Sequence, residues 1–234
     1  MTQRSRIAAL LGWLVACAHT NIEEPKRGTD FDFSHGGQGW VAGFADYPVH
    51  ADGFYKLESG YRRLPAPLDD RSGFFISGEN HSDDLFMYLK RRVSGFDPNT
   101  NYEVSFVVEF ATDVPTGCGG VGGSPGESVF VKAGASSVEP IAIVNESGQY
   151  RMNIDKGNQS RGGANAVVIG NVANSTLCEQ NIRRYEIKQL SSPQPVLVTT
   201  DASGSVWLLV GTDSGFEAGT SLYYTRIRAD FSKQ

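Results

Sequence analysis

The chain has 234 residues, 40% hydrophobic and 20% charged, a balance too apolar for a disordered polymer and long enough for one large β domain or two small ones. Its 27 glycines and 11% aromatic content favour a turn-rich β protein over a helix bundle, and a net charge of -5 offers no basic footprint for nucleic acid. A collagen repeat, a coiled coil and a multi-span membrane protein are excluded as well, because the one long apolar stretch lies at the N-terminus.

That stretch belongs to a targeting layout. Residues 1–16 carry Arg4 and Arg6 and no acid, then a short apolar run from Ile7 to Ala16, which is too short for a comfortable spanning helix and reads as a secretory signal. It ends in Leu14-Val15-Ala16-Cys17, which resembles a bacterial lipobox. The resemblance implies that Cys17 is lipidated and becomes the mature N-terminus, and Ala18 after it implies delivery to the outer membrane, on its periplasmic face or at the cell surface. Residues 17–29, with Pro25 and Gly28, then read as the lipidated cysteine and a polar tether, and residues 30–234 as the folded domain.

Along that domain, Trp40, Tyr47, Phe54, Tyr55 and Tyr61 gather in a Gly/Pro-rich region that could form an aromatic platform or ordinary core. The polar run Glu79 to Asp84 precedes Asp83–Val93, which reads as a strand with Leu85, Met87 and Leu89 on one face and Phe86 and Tyr88 on the other. The Gly-rich stretch 115–126 reads as an internal loop. Further strands are expected over Glu127–Lys132, Gln149–Ile154, Ser205–Val210 and Ser221–Phe231, with Trp207 in the core. Many short strands at this spacing predict an all-β protein, a single jelly-roll-like β-sandwich after the N-terminal signal segment.

In an exported protein with Cys17 lipidated, the remaining even pair, Cys118 and Cys178, reads as a disulfide. The segment Val93 to Phe106 (VSGFDPNTNYEVSF) resembles the corner of fibronectin-type and galactose-binding-like sandwiches, in which Tyr102 would bond back to nearby backbone. The phrases SGENHSDDLFMYLKRRVSG, GGSPGESVFVKAGAS, NIDKGNQ and GTDSGFEAGTSLYY resemble a bacterial lipoprotein family; that resemblance implies a jelly-roll fold and no activity.

The chemistry is less legible. Oxygen-rich loops around Asp83, Asp155 and Asp213, with Tyr55 as an aromatic partner, are the candidate ligand-binding residues, and a structural Ca2+ is a natural occupant of such loops. Glu127, Asp155 and His81 are the candidates for acid–base chemistry, although no nucleophile elbow or metal-ligand spacing selects them. The expected function is a membrane-anchored, carbohydrate- or ligand-binding sandwich with a glycan as partner. The alternatives are a glycan-degrading hydrolase or lyase working through carboxylates at one end of the sandwich, and a structural envelope protein.

Overall fold

Segments that alternate apolar and polar side chains bury one face each, so they pair into sheets and close those faces against one another. The computed structural model, which describes residues 27–81 and 84–234, does this with fifteen strands. They are β1 (Arg27–Asp32), β2 (Val41–Ala45), β3 (Tyr47–Pro48), β4 (Glu58–Arg63), β5 (Ser72–Glu79), β6 (Phe86–Ser94), β7 (Asn101–Thr112), β8 (Val129–Ser136), β9 (Ala142–Val144), β10 (Gln149–Met152), β11 (Ala166–Asn171), β12 (Glu186–Ser191), β13 (Val196–Thr199), β14 (Ser205–Ser214) and β15 (Gly219–Lys233).

The first sheet runs β12–β7–β15–β5–β4, with β1 beside the second half of β15 and β13 beside the start of β7. The second runs β11–β8–β14–β6–β2. Every strand pairing is antiparallel, and the chain alternates between the two sheets from β5 to β8 and again at β14 and β15, the wrapping of a jelly-roll β-sandwich. Phe106, Val108, Phe110, Ile227 and Phe231 from the first sheet meet Met87, Leu89, Val131 and Leu208 from the second in one core.

A small third sheet, β3–β10–β9, packs on the outer face of the second. This explains the continuous apolar run of β6. Leu85, Met87 and Leu89 enter the main core, as their alternation predicts, while Phe86 and Tyr88 are buried on the opposite face with Ala45, Ile154 and Leu209. A strand covered on both sides loses its polar alternation. Gly43 pairs with Tyr88 across β2 and β6, and a Cβ there would lie 2.4 Å from the tyrosine ring, so only glycine lets that ring lie flat on the sheet.

Three expectations need correction. Strand β1 begins at Arg27, where Arg27, Gly28 and Thr29 pair with Phe231, Asp230 and Ala229, so the folded domain starts inside the stretch read as tether. Strand β6 begins at Phe86, which leaves Asp84 ahead of it, where the Asn80 side chain accepts from the Asp84 and Leu85 N–H groups. Trp207 lies on the outer face of β14, partly exposed with Lys90 5.7 Å from its ring, since its neighbours Val206 and Leu208 take the core-facing positions.

Two other features stand where the sequence placed them. Tyr102 is buried against Phe96, and its hydroxyl accepts from the Asp97 N–H at 3.3 Å. Cys118 and Cys178 form a disulfide across 60 residues of chain, tying the Gly-rich loop to the loop after β11.

Candidate functional site

The site grows from charges placed in strands that should hold none. Lys132 lies between Val131 and Ala133 in β8, whose side chains point into the main core, so the lysine projects onto the outer face of the second sheet. Asp213 projects to the same face from β14, and neither side chain has any solvent exposure. Gly211, paired with both Lys132 and Tyr88, leaves the space between them; a Cβ there would come within 2.6 Å of the Met87 carbonyl.

From this pair a row of alternating charges climbs to the surface. Lys132 Nζ lies 2.8 Å from Asp213 Oδ2, which is also 2.8 Å from Lys156 Nζ, and Lys156 Nζ in turn is 2.8 Å from Asp46 Oδ2. Arg151 Nη1 then donates to Asp46 Oδ1 at 3.0 Å and to Asp84 Oδ2. The face of Phe86 lies 4.7 Å under the Lys156 ammonium. Asp46 reaches inward because it adopts a left-handed conformation (φ 63°) between β2 and β3, a conformation Asp tolerates better than most residues. The loop after β10 closes the row. Its Asp155 carboxylate accepts from the Gly157 and Ala164 N–H groups at 3.0 and 2.9 Å, and Gly163 packs so close that a Cβ would sit 2.1 Å from Asp155 Oδ1.

The electrostatics follow the burial. Burial pulls the Lys132 ammonium below the ordinary lysine range against the pull of Asp213. Burial acts on Lys156 too, but Asp213 and Asp46 outweigh it and raise that group. At the outer end burial raises the Asp84 carboxyl, against the hydrogen bond from Arg151. Asp155 is held below the usual carboxylate range by the Ala164 and Gly157 N–H groups, so it stays ionised.

Above the row lies a pocket of about 290 Å³ lined by Asp46, Asp84, Arg151, Asp155, Lys156 and Asn158, with Met152 and Ile154 as its apolar wall. Asp155 therefore lines the pocket and Asp213 lies buried at the foot of the charge row. Asp83 and Cys17 fall outside the described residues. Tyr55 is buried against Tyr47 in the core, so its ring is not presented to a ligand. His81 stacks on the exposed ring of Phe54 at 4.1 Å, away from the pocket lining. Glu127 organises the Gly-rich loop, accepting from Thr116 at 2.5 Å, from Gly117 N at 2.7 Å and from Ser124. Asp46, Lys132, Arg151 and Lys156 were not singled out in the sequence; Lys132 and Asp213, as charges inside apolar strands, were the available signal.

One carboxylate oxygen each from Asp46, Asp84 and Asp213 lies within 4.8 Å of the others, a spacing that suits a hard cation. Lys156 Nζ already stands 2.8 Å from two of these carboxylates, so a Ca2+ centred there would have to displace an ammonium.

No protein-family model and no curated protein matches the chain. Solved structures resemble it in architecture. One is the enzymatically active domain of tailspike protein 4 of bacteriophage CBA120 (TM-score 0.34, 8% identity), aligned over 81% of this chain and 19% of that one. A carbohydrate-binding module of the β-sandwich superfamily aligns at TM-score 0.39 and 8% identity, over 83% of this chain and 58% of its own. TmCBM61, solved with β-1,4-galactotriose, aligns at TM-score 0.37 and 9% identity, over 85% of this chain and 92% of its own. This chain thus spans less than two thirds of the first two.

Removing one member of the buried row should cost far more than a surface substitution. Asp213→Leu strands two ammonium groups and should destabilise by about 3–5 kcal/mol in urea unfolding, while Lys132→Met combined with Asp213→Leu should cost less than Asp213→Leu alone.

Burial pushes Glu127 up, but the bonds from Ser124, Thr116 and Gly117 outweigh it and lower the carboxyl from 4.5 to about 2. A depressed carboxyl stabilises the fold above its unfolded value and loses that contribution as pH falls from 4.5 through about 2. Glu127→Gln should flatten this acid limb in melting curves taken across that range.

Proposed function

We propose that this domain binds a glycan in the pocket above the charge row. The observation that carries the reading is the lining itself. Carboxylates of Asp46, Asp84 and Asp155 face one cavity beside an apolar wall of Met152 and Ile154, with every charged group except Asp155 fixed by a neighbouring side chain. Fixed acceptors suit a sugar's hydroxyl donors, and the apolar wall suits the C–H face of its ring. Because the polar groups are already held in place, little side-chain ordering is left to oppose binding. The ligand class is the one for which the resembling β-sandwich modules are named; its assignment to this chain rests on the lining.

The same proposal places the domain in a bacterial envelope, held to the outer membrane by acyl chains on Cys17, as the signal layout implies. Several acyl chains anchor firmly where one gives marginal binding. Cys17→Ala should move the protein from the membrane fraction to the soluble fraction; unchanged membrane partition would refute the anchor.

A glycan array probed with the soluble domain tests the pocket. Arg151 positions the Asp46 and Asp84 carboxylates, so Arg151→Ala should weaken retention about tenfold. Arg226→Ala provides the contrast. Arg226 pairs with Asp30 beside a second cavity of about 250 Å³ on the outer face of the first sheet, and its replacement should leave retention unchanged. The reverse pattern would move the site to that sheet.

A further inference from the structure

A ligand entering the pocket meets an uneven supply of hydrogen-bonding groups. An ammonium has three donors and no acceptor. Lys132 spends its three on Asp213 at 2.8 Å and on the Lys156 and Arg161 carbonyls, both at 2.9 Å. Lys156 donates to Asp213 at 2.8 Å and to the Gly157 carbonyl at 3.3 Å, and its ammonium is held as an ion pair 2.8 Å from Asp46 Oδ2. Arg151 gives Nη1 to Asp46 and Asp84 and Nη2 to Gln149 at 3.4 Å. Both lysines are therefore occupied, and the guanidinium keeps only its Nε hydrogen and one Nη2 hydrogen.

The acceptors are not. Asp213 Oδ1, Asp84 Oδ1 and Asp46 Oδ2 are buried with no hydrogen-bond partner among the described residues, although Asp46 Oδ2 is ion-paired to Lys156. Asp155, exposed at the pocket wall, meets only backbone N–H groups and no side-chain cation. Three cations in the row balance Asp46, Asp84 and Asp213, which leaves the Asp155 charge as the local excess. An arriving carboxylate or sulfate would find the lysine donors taken, two spare Arg151 hydrogens and the exposed Asp155 anion beside them; an arriving ammonium would find that anion as its counter-charge.

We infer that the pocket selects glycans by charge, taking sugar residues that carry a protonated amine ahead of neutral ones and neutral ones ahead of uronic acids. This inference rests on the glycan-binding reading above and adds the substrate class. Asp155 supplies the counter-charge at the exposed wall, and the Asp46 and Asp84 carboxylates that line the same pocket are held beside it.

Calorimetric titration of the soluble domain with oligomers of glucosamine, glucose and galacturonic acid, at about pH 6 where amines are protonated and carboxylates ionised, tests it. The glucosamine oligomer should bind about fivefold tighter than the glucose oligomer, with the advantage shrinking as salt is added, and the galacturonate oligomer should bind weakest. Asp155→Asn should erase the advantage of the amine. Because that change also alters the carboxylate's backbone contacts, Asn158→Asp is the second variant: it adds a charge at an exposed lining position and should widen the gap between amine and uronate. Equal binding of the amine and neutral oligomers, or tightest binding of the uronate, overturns the charge selection while the glycan reading stands. Retention of no oligomer here and no glycan on the array overturns both.

Discussion

The row Lys132, Asp213, Lys156, Asp46, Arg151 and Asp84 is the interaction on which the outer half of this molecule depends. Its members come from β8, β14, the loop after β10, the β2–β3 junction, β10 itself and the segment just ahead of β6. The third sheet has only short strands, and its small apolar contact with the second sheet is continued sideways by these charges. A buried ion pair adds little stability over an apolar pair of the same shape, but leaving one member alone is costly, so the row fixes one docking position of the outer layer. The row runs from the fully buried Lys132 and Asp213 through the nearly buried Lys156 and Asp46 to the partly exposed Arg151 and Asp84, so the innermost charges depend most on one another and the outermost are also screened by water.

The pocket inherits its properties from that row. Carboxylates tethered to ammonium and guanidinium groups cannot swing away when a ligand arrives, and the ammonium groups cannot turn to greet an anion. Specificity therefore follows from which groups have already been spent. Burial works against the ionised Asp84 carboxyl at the outer end, and a donor entering the pocket beside it would favour the charged form.

At the far side of β8 a different economy operates. The Gly-rich loop has almost no side chains with which to hold itself, and it is fixed instead by the disulfide, by the parallel bridge between Thr116 and Leu177 and by the Glu127 carboxylate. Glu127 in that setting is a loop organiser. Its lowered pKa arises from donated hydrogen bonds, which hold it as an anion with no proton to give near neutral pH.

Several parts of this protein could be read directly from the chain because their causes are local. The alternation Leu85, Met87, Leu89 against Phe86 and Tyr88 defined a strand and both its faces, and Tyr102 found its place because the corner motif and its hydroxyl partner at Asp97 lie five residues apart. The Cys118–Cys178 pair followed from counting. The site did not follow, because Asp46, Lys132, Arg151, Lys156 and Asp213 are dispersed over the sequence and nothing local reveals that a third sheet covers the face on which they meet. Asp155 could be named in advance as an oxygen-rich loop residue, whereas Glu127 and Asp155 could not be told apart by type: one is consumed by its own loop and the other faces a cavity. Periodicity and turn chemistry determine strands, faces and corners from neighbouring residues alone. Which charges become neighbours, and which are left with spare acceptors, is decided only when distant strands are brought into one layer.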